Sequence, residues 1–297
     1  MIRSFEAVLE AVKAKEPKRI AVAAAQDEAV LTAVQDAKVR GIADFTLIGD
    51  SEKIKHLANM HGISLEGIEI IHEKEDRKAA YHAVSLVSSG QADVLMKGLI
   101  NTADILRAVL DKEIGLRTGR VLSHVFIYDL PQLDRLLMIT DAAVNIAPTL
   151  KEKADIIQNS VNMANALGII PAKVAILAAL ETVNPNMPAT IEAAALAKMA
   201  DRKQIKGAMI DGPLGFDNAI SLEAAKHKGI DSEVAGVADI LMVPDIEAGN
   251  MLAKSLSYFA GGRIAGLALG TAKPVILTSR ADTPDTKLMS IALSTLV

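Results

Sequence analysis

Four stretches of the sequence place polar side chains directly after apolar, strand-like runs, where an α/β fold keeps its binding groups. In DVLMKGLINTADILRAVL (Asp93 to Leu110), VLM leads into Lys97, Gly98, a short loop and a helix that Thr102 or Asn101 could cap. Asp104 and Arg107 are three apart and share a face of that helix, with Ile105, Leu106, Val109 and Leu110 on its apolar side. They read either as a surface ion pair of little worth or as an anion-binding guanidinium held by a neighbouring carboxylate. In ITDAAVNIAPTL (Ile139 to Leu150), a strand ends at Thr140 and Asp141, and Asn145 is either a ligand contact or a loop-forming side chain. In MVPDIEAGNMLAKSL (Met242 to Leu256), Asp245 and Glu247 fall in a first helical turn, where carboxylates favour the helix dipole. Gly249 and Asn250 follow; both are poor interior helix formers, which points to close packing or ligand approach. In KPVILTSRADTPDTKLMS (Lys273 to Ser290), an apolar strand runs into Thr278, Ser279 and Arg280, then into Thr283 as cap and Pro284 as first helical residue. A hydroxyl, a guanidinium and a carboxylate beside a helix N-terminus make either an anion site with an acid or base at hand, or ordinary capping with a salt bridge.

The elements that must position these groups alternate along the chain. Strand candidates are Arg19 to Ala25, Asp44 to Ile48, Gly67 to Ile71, Asp93 to Met96, Val121 to Tyr128 and Arg135 to Thr140. Further ones are Lys173 to Ala178, Gly207 to Ile210, Ile240 to Val243, Ile264 to Leu269 and Pro274 to Thr278, with helical patterns between most of them. That alternation predicts an α/β protein with a largely parallel sheet. The connection Asp129 to Asp134 is too short for a crossover, so its two flanking strands should form an antiparallel hairpin, and a domain boundary is expected near it. The mixed-sign run EKEDRK (Glu73 to Lys78) reads as a solvated helix start. His124, in an apolar strand, is either a hydrogen-bonded core histidine or a substrate contact.

Composition excludes several classes. Of the 297 residues, 51% are hydrophobic but only 3% aromatic, so the core must be built from Ala, Val, Ile, Leu and Met. A net charge of −4 argues against a dedicated nucleic-acid binder. The absence of Cys removes disulfides, Cys-held metals and thiol nucleophiles, and the six His show no metal-ligand spacing. No Walker loop, G-x-S-x-G elbow or H-E-x-x-H is present, and AGGRIAG (Ala260 to Gly266) reads as a helix end and tight turn. The apolar runs are too short to span a membrane, and the N-terminus lacks a signal-peptide core, so a soluble cytoplasmic protein is expected.

Taken together, DVLMKGLINTADILRAVL, IGLRTGRVLSHV, TDAAVNIAP, HKGIDSEVAGVADILMVPDIEAGNMLAKSL and PVILTSRAD give the chain a specific resemblance to the phosphate acetyl/butyryltransferase family, closest to its butyryl branch. The resemblance runs from about Arg19 to the C-terminus. It implies transfer of a short acyl group between coenzyme A and inorganic phosphate, with coenzyme A as substrate, no tightly bound cofactor and no metal. It further implies two α/β domains flanking a cleft, as in isocitrate and isopropylmalate dehydrogenases. One domain would be residues 1–125 plus 268–297, the other 126–267, in a homodimer or larger homo-oligomer. The family's active-site Ser-Arg pair matches Ser279 and Arg280, and the arginine of its T-x-D-x-L-R pattern matches Arg107. Its base matches Asp285, with Asp282 competing because ungapped counting is off by one. Lys97, Thr102, Asn145 and Asn250 are the remaining candidate substrate contacts.

Within the family, acetyl and branched acyl groups compete with butyryl, since a methylene in an apolar pocket is worth only about 1–3 kcal/mol. Outside it, one rival is a non-catalytic acyl-CoA or acyl-phosphate sensor. Another is an NAD-dependent decarboxylating dehydrogenase, whose Lys–Tyr pair and metal-binding Asp set find no match around Tyr81, Tyr128 or Tyr258.

Overall fold

The computed structural model describes all 297 residues. The chain divides into two compact units, Phe5–Arg120 with Ala265–Val297 (the first unit) and Val121–Ile264 with Met1–Ser4 (the second).

The first unit begins α1 (Phe5–Lys13), β1 (Lys18–Ala23), α2 (Glu28–Val39), β2 (Ala43–Gly49), α3 (Ser51–His61), β3 (Glu69–His72), α4 (Asp76–Ser88), β4 (Val94–Lys97) and α5 (Thr102–Val109). The second unit contains β5 (Ser123–Asp129), β6 (Leu136–Thr140), α6 (Leu150–Ala166), β7 (Ala172–Leu177), α7 (Pro188–Asp201), β8 (Ala208–Leu214), α8 (Phe216–Ile220), α9 (Leu222–His227), β9 (Ile240–Met242) and α10 (Ile246–Phe259). The chain then returns to the first unit through β10 (Arg263–Leu269), β11 (Val275–Ile276) and α11 (Pro284–Ser294).

The first unit's strands run in the order β3-β2-β1-β4-β11-β10. All neighbouring pairs are parallel except β10 with β11. Strands β2 and β3 extend the sheet on one side of β1, and β4 pairs on the other. The order therefore reverses between β1 and β4, and the carboxyl ends at such a reversal are where open α/β sheets bind ligands. Side-chain caps start the helices: Asp27 accepts from Val30 N at 2.9 Å, Asn101 from Asp104 N at 2.9 Å and Thr283 from Thr286 N at 3.2 Å. Each is worth about 1 kcal/mol over an alanine. Helix α11 is buried along its whole length from Thr286 to Ser294.

The second unit's strands run β5-β6-β9-β7-β8. Strands β5 and β6 form an antiparallel pair, Val125 opposite Thr140, and the others are parallel. Its core is aliphatic around one aromatic, Tyr128, whose hydroxyl donates to Ala253 O at 2.8 Å.

The mixed α/β class follows the alternating pattern of the sequence. Several bounds differ. Strand β11 spans two residues, not the five of Pro274 to Thr278, because the chain leaves the sheet at Leu277 to form the loop before α11. Strand β8 continues past Ile210 to Leu214 through Gly212 and Pro213. Asn101, not Thr102, caps α5, and Leu110 on its expected apolar side is 46% exposed. No helix is long and apolar enough to cross a membrane.

Candidate active site

The parallel strands β1, β4 and β11 bring their carboxyl ends to one edge of the first unit. There the chain after β4 is pressed onto the chain after β1: Gly98 N donates to Ala23 O at 2.8 Å and Leu99 N to Ala24 O at 2.7 Å. A Cβ at residue 98 would lie 2.2 Å from Ala24 O, so only glycine fits. Ala24 itself takes a left-handed φ of 54°, a strained conformation for a residue with a side chain.

Two lysines are buried at this edge. Lys97, 4% exposed at the end of β4, donates to Thr278 O at 3.3 Å and lies 3.4 Å from Gly98 O. Lys287, 2% exposed in α11, donates to Ser279 O at 3.1 Å and Asp282 O at 2.8 Å. Burial lowers the pKa of both. For Lys97 the nearby charges of Arg280 and Lys287 add to that, while Asp27 and Asp282 oppose it. Thr278 Oγ1 is buried without a hydrogen-bond partner.

Above the lysines, residues 278–282 form a closed turn. Ser279 N donates to the Asp282 carboxylate at 2.7 Å, and Ala281 N to Ser279 Oγ at 3.3 Å. Ser279 and Arg280 stand exposed on it, and Asp285 is exposed in the first turn of α11. Of the two competing carboxylates, Asp282 is engaged in closing the turn.

Along the same edge, Asp104 gathers three donors: Asn101 Nδ2 at 2.5 Å, Arg107 Nη1 at 2.6 Å and Arg77 Nε at 3.0 Å. The hydrogen bond from Asn101 and those cations hold its carboxyl below the usual range. Two exposed guanidiniums on one carboxylate leave the trio at net +1. Thr102 is exposed beside the cap. Gln26, after β1, donates to the Asp76 carboxylate at 3.0 Å, tying the start of α4 to this edge.

Asn145 and Asn250 lie in the second unit and take internal partners. Asn145 Nδ2 donates to Asp141 at 2.6 Å and Leu122 O at 2.9 Å, while Asp141 also accepts from the amides of Ala143, Val144 and Asn145. Asn250, exposed on α10, donates to Ala142 O at 3.3 Å. A Cβ on Gly249 would meet Val243 Cγ2 at 2.7 Å and Ala142 at 3.0 Å, so close packing accounts for that glycine. His124 is buried in β5 with its ring 4.4 Å from Phe126, edge to face.

Two cations at the first edge were not singled out from the sequence. Arg77 belongs to the run expected to be merely solvated, yet it shares Asp104. Lys287 carried a signal: it is the one charge within TKLMSIALS, and a lysine in a run that rich in apolar residues needs a reason to be there.

The model of the phosphate acetyl/butaryl transferase family matches residues 4–81 and 72–295. The chain belongs to that family. It is 53% identical over 297 residues to the phosphate butyryltransferase of Clostridium acetobutylicum, covering all of this chain and 99% of that one. It is 45% identical over 292 residues to the phosphate acetyltransferase of Rhizobium meliloti, covering 98% of this chain and 92% of that one. Among solved structures, a branched-chain phosphotransacylase from Enterococcus faecalis matches with a TM-score of 0.84 at 33% identity, over 94% of this chain and 98% of that chain.

Proposed function

We propose that the protein is a phosphate acyltransferase that moves a short acyl group, butyryl first, between coenzyme A and inorganic phosphate. The observation that carries the reading is the edge of the first unit. Buried Lys97 and Lys287 are held by neutral carbonyls, and exposed Arg280 stands on the turn above them, so positive charge there awaits an anion. Full-length identity to a phosphate butyryltransferase supports the acyl class.

In this reading coenzyme A is a substrate, not a resident group. Phosphate oxygen attacks the thioester carbonyl, the C–O bond forms, the C–S bond breaks, and the thiolate leaves with a proton. In reverse, the thiol gives up its proton and attacks the acyl phosphate. Arg280 and Arg107 bind the phosphoryl oxygens, which their planar forks suit, with Lys97 behind them as buried charge. Ser279 donates to the developing oxyanion, and Thr102 adds a hydroxyl at the first turn of α5. Asp285 shuttles the proton. Asp285 acts within the transition state, taking the proton as the thiol attacks. Transfer is direct, in a ternary complex, without an acyl-enzyme. Asn145 and Asn250, engaged with their own backbone neighbours, serve to hold the loop after β6. The same reading takes the fold to be of the isocitrate/isopropylmalate dehydrogenase type, the two units as its domains, and the active form as a cytoplasmic homo-oligomer.

The test is phosphate-dependent release of free thiol from butyryl-CoA, isobutyryl-CoA and acetyl-CoA. Butyryl-CoA is expected to turn over fastest, with intersecting initial-rate patterns. Faster acetyl or isobutyryl turnover would reassign the acyl preference. Tight acyl-CoA binding with no release would replace the enzyme with a sensor, and parallel patterns or an isolable acylated protein would overturn direct transfer.

A further inference from the structure

We propose that Lys287 is a positioning residue of the acyl-transfer site: its buried ammonium grips both ends of the Ser279–Asp282 turn from beneath and so fixes where Ser279 and Arg280 stand. The assignment rests on the acyltransferase reading above.

Three observations carry it. Lys287 sits in a helix buried from Thr286 to Ser294 and is the one charged residue of that run. A buried ammonium is expensive unless paired, yet its hydrogen bonds run to two neutral acceptors, Ser279 O at 3.1 Å and Asp282 O at 2.8 Å. Those are the two ends of the turn that carries Arg280 between them. Lys97 acts the same way one residue earlier, on Thr278 O at 3.3 Å. The carboxylate that could have neutralised Lys287 is turned instead to the turn's own backbone, where Asp282 accepts from Ser279 N at 2.7 Å. A nonpolar residue would fill this helix position at lower cost, so the lysine is explained by what it holds. Misplacing a reacting group by about 1 Å costs on the order of 10²-fold in rate, which sets the scale of the effect.

The charge has a second consequence. Asp27, Asp282 and Lys97 are the charged groups around Lys287, and burial outweighs the two carboxylates to lower its pKa. Raising the pH therefore discharges it before an exposed lysine would lose its proton, and the grip on the turn weakens from the alkaline side.

The experiment compares wild type, Lys287→Met and Lys287→Arg in phosphate-dependent thiol release from butyryl-CoA, with melting temperature and a pH profile for each. For Lys287→Met, kcat should fall on the order of 10²-fold, with KM for butyryl-CoA and the melting temperature little changed. Lys287→Arg keeps the charge at every accessible pH, so it should recover part of kcat and move the alkaline limb upward. Wild-type turnover in Lys287→Met would overturn the assignment and leave the acyltransferase reading intact. So would a loss of turnover that merely tracks a lowered melting temperature. Should Lys287→Met not fold, the alkaline limb of Lys287→Arg decides alone, and an unmoved limb contradicts the proposal. No turnover by wild type would remove the acyltransferase reading and this assignment with it.

Discussion

The two units treat the ends of their strands in opposite ways. In the second unit, Asp141 and Lys228 find partners within the unit. Asp141 accepts from three backbone amides and from Asn145, and Lys228 pairs with both Glu181 at 3.2 Å and Asp217 at 3.1 Å. In the first unit the cations at the strand ends have few direct carboxylate contacts. Lys97 and Lys287 are held by carbonyls, Arg77 and Arg107 share one carboxylate, and Arg280 stands exposed on a turn. Self-satisfied loops stabilise a fold. Buried cations whose hydrogen bonds run to carbonyls rather than carboxylates cost stability. On the proposed reading, that difference puts the chemistry in the first unit.

If that contrast is real, substitutions in the first unit should cost turnover and leave stability, and substitutions in the second should do the reverse. The largest effect is expected for Arg280→Ala, with phosphate-dependent thiol release falling at least about 10²-fold. Its melting temperature should match wild type, since Arg280 is exposed. Arg107→Ala should follow, at roughly tenfold in kcat/KM for phosphate. Arg77→Ala should do less, and the double variant less than the product of the two, because both guanidiniums meet at Asp104. In the second unit, Gly249→Ala should cost about 1–3 kcal/mol in urea unfolding through the overpacking of Ala142 and Val243. Asn145→Ala should cost about 1–2 kcal/mol through lost hydrogen bonds and an under-satisfied Asp141. For both, folded protein should retain most of its turnover. An Asn145→Ala variant that stayed stable but inactive would break the comparison and make Asn145 a substrate contact.

Much of this was legible in the sequence, and the exceptions have physical reasons. Continuous apolar runs marked the strands because most are buried on both faces, as at β4, where every residue is buried. The cap at Thr283 marked the start of α11 because its side-chain oxygen has a local backbone donor to find. Strand β11 was overestimated because Leu277 and Thr278 are as strand-like as Val275, and only tertiary pairing ends it. Arg77 was hidden because EKEDRK looks like any solvated run, and nothing local says that α4 brings Arg77 to Asp104 on α5. Lys287 was hidden in the opposite way. Its partners are the backbone carbonyls of residues 279 and 282, which no side-chain pattern encodes. Ser279, Arg280 and Arg107 stand in local motifs that the sequence displays; the hydrogen bonds from the lysines to the carbonyls of Thr278, Ser279 and Asp282 are not displayed there.

The most direct test of the central claim is the steady-state kinetics of phosphate-dependent thiol release from butyryl-CoA by wild type and Arg280→Ala, each with its melting temperature. Robust wild-type turnover should collapse in Arg280→Ala, with no change in melting temperature. Equal turnover by the two proteins would show that the cations of the first unit are not where the phosphoryl group binds.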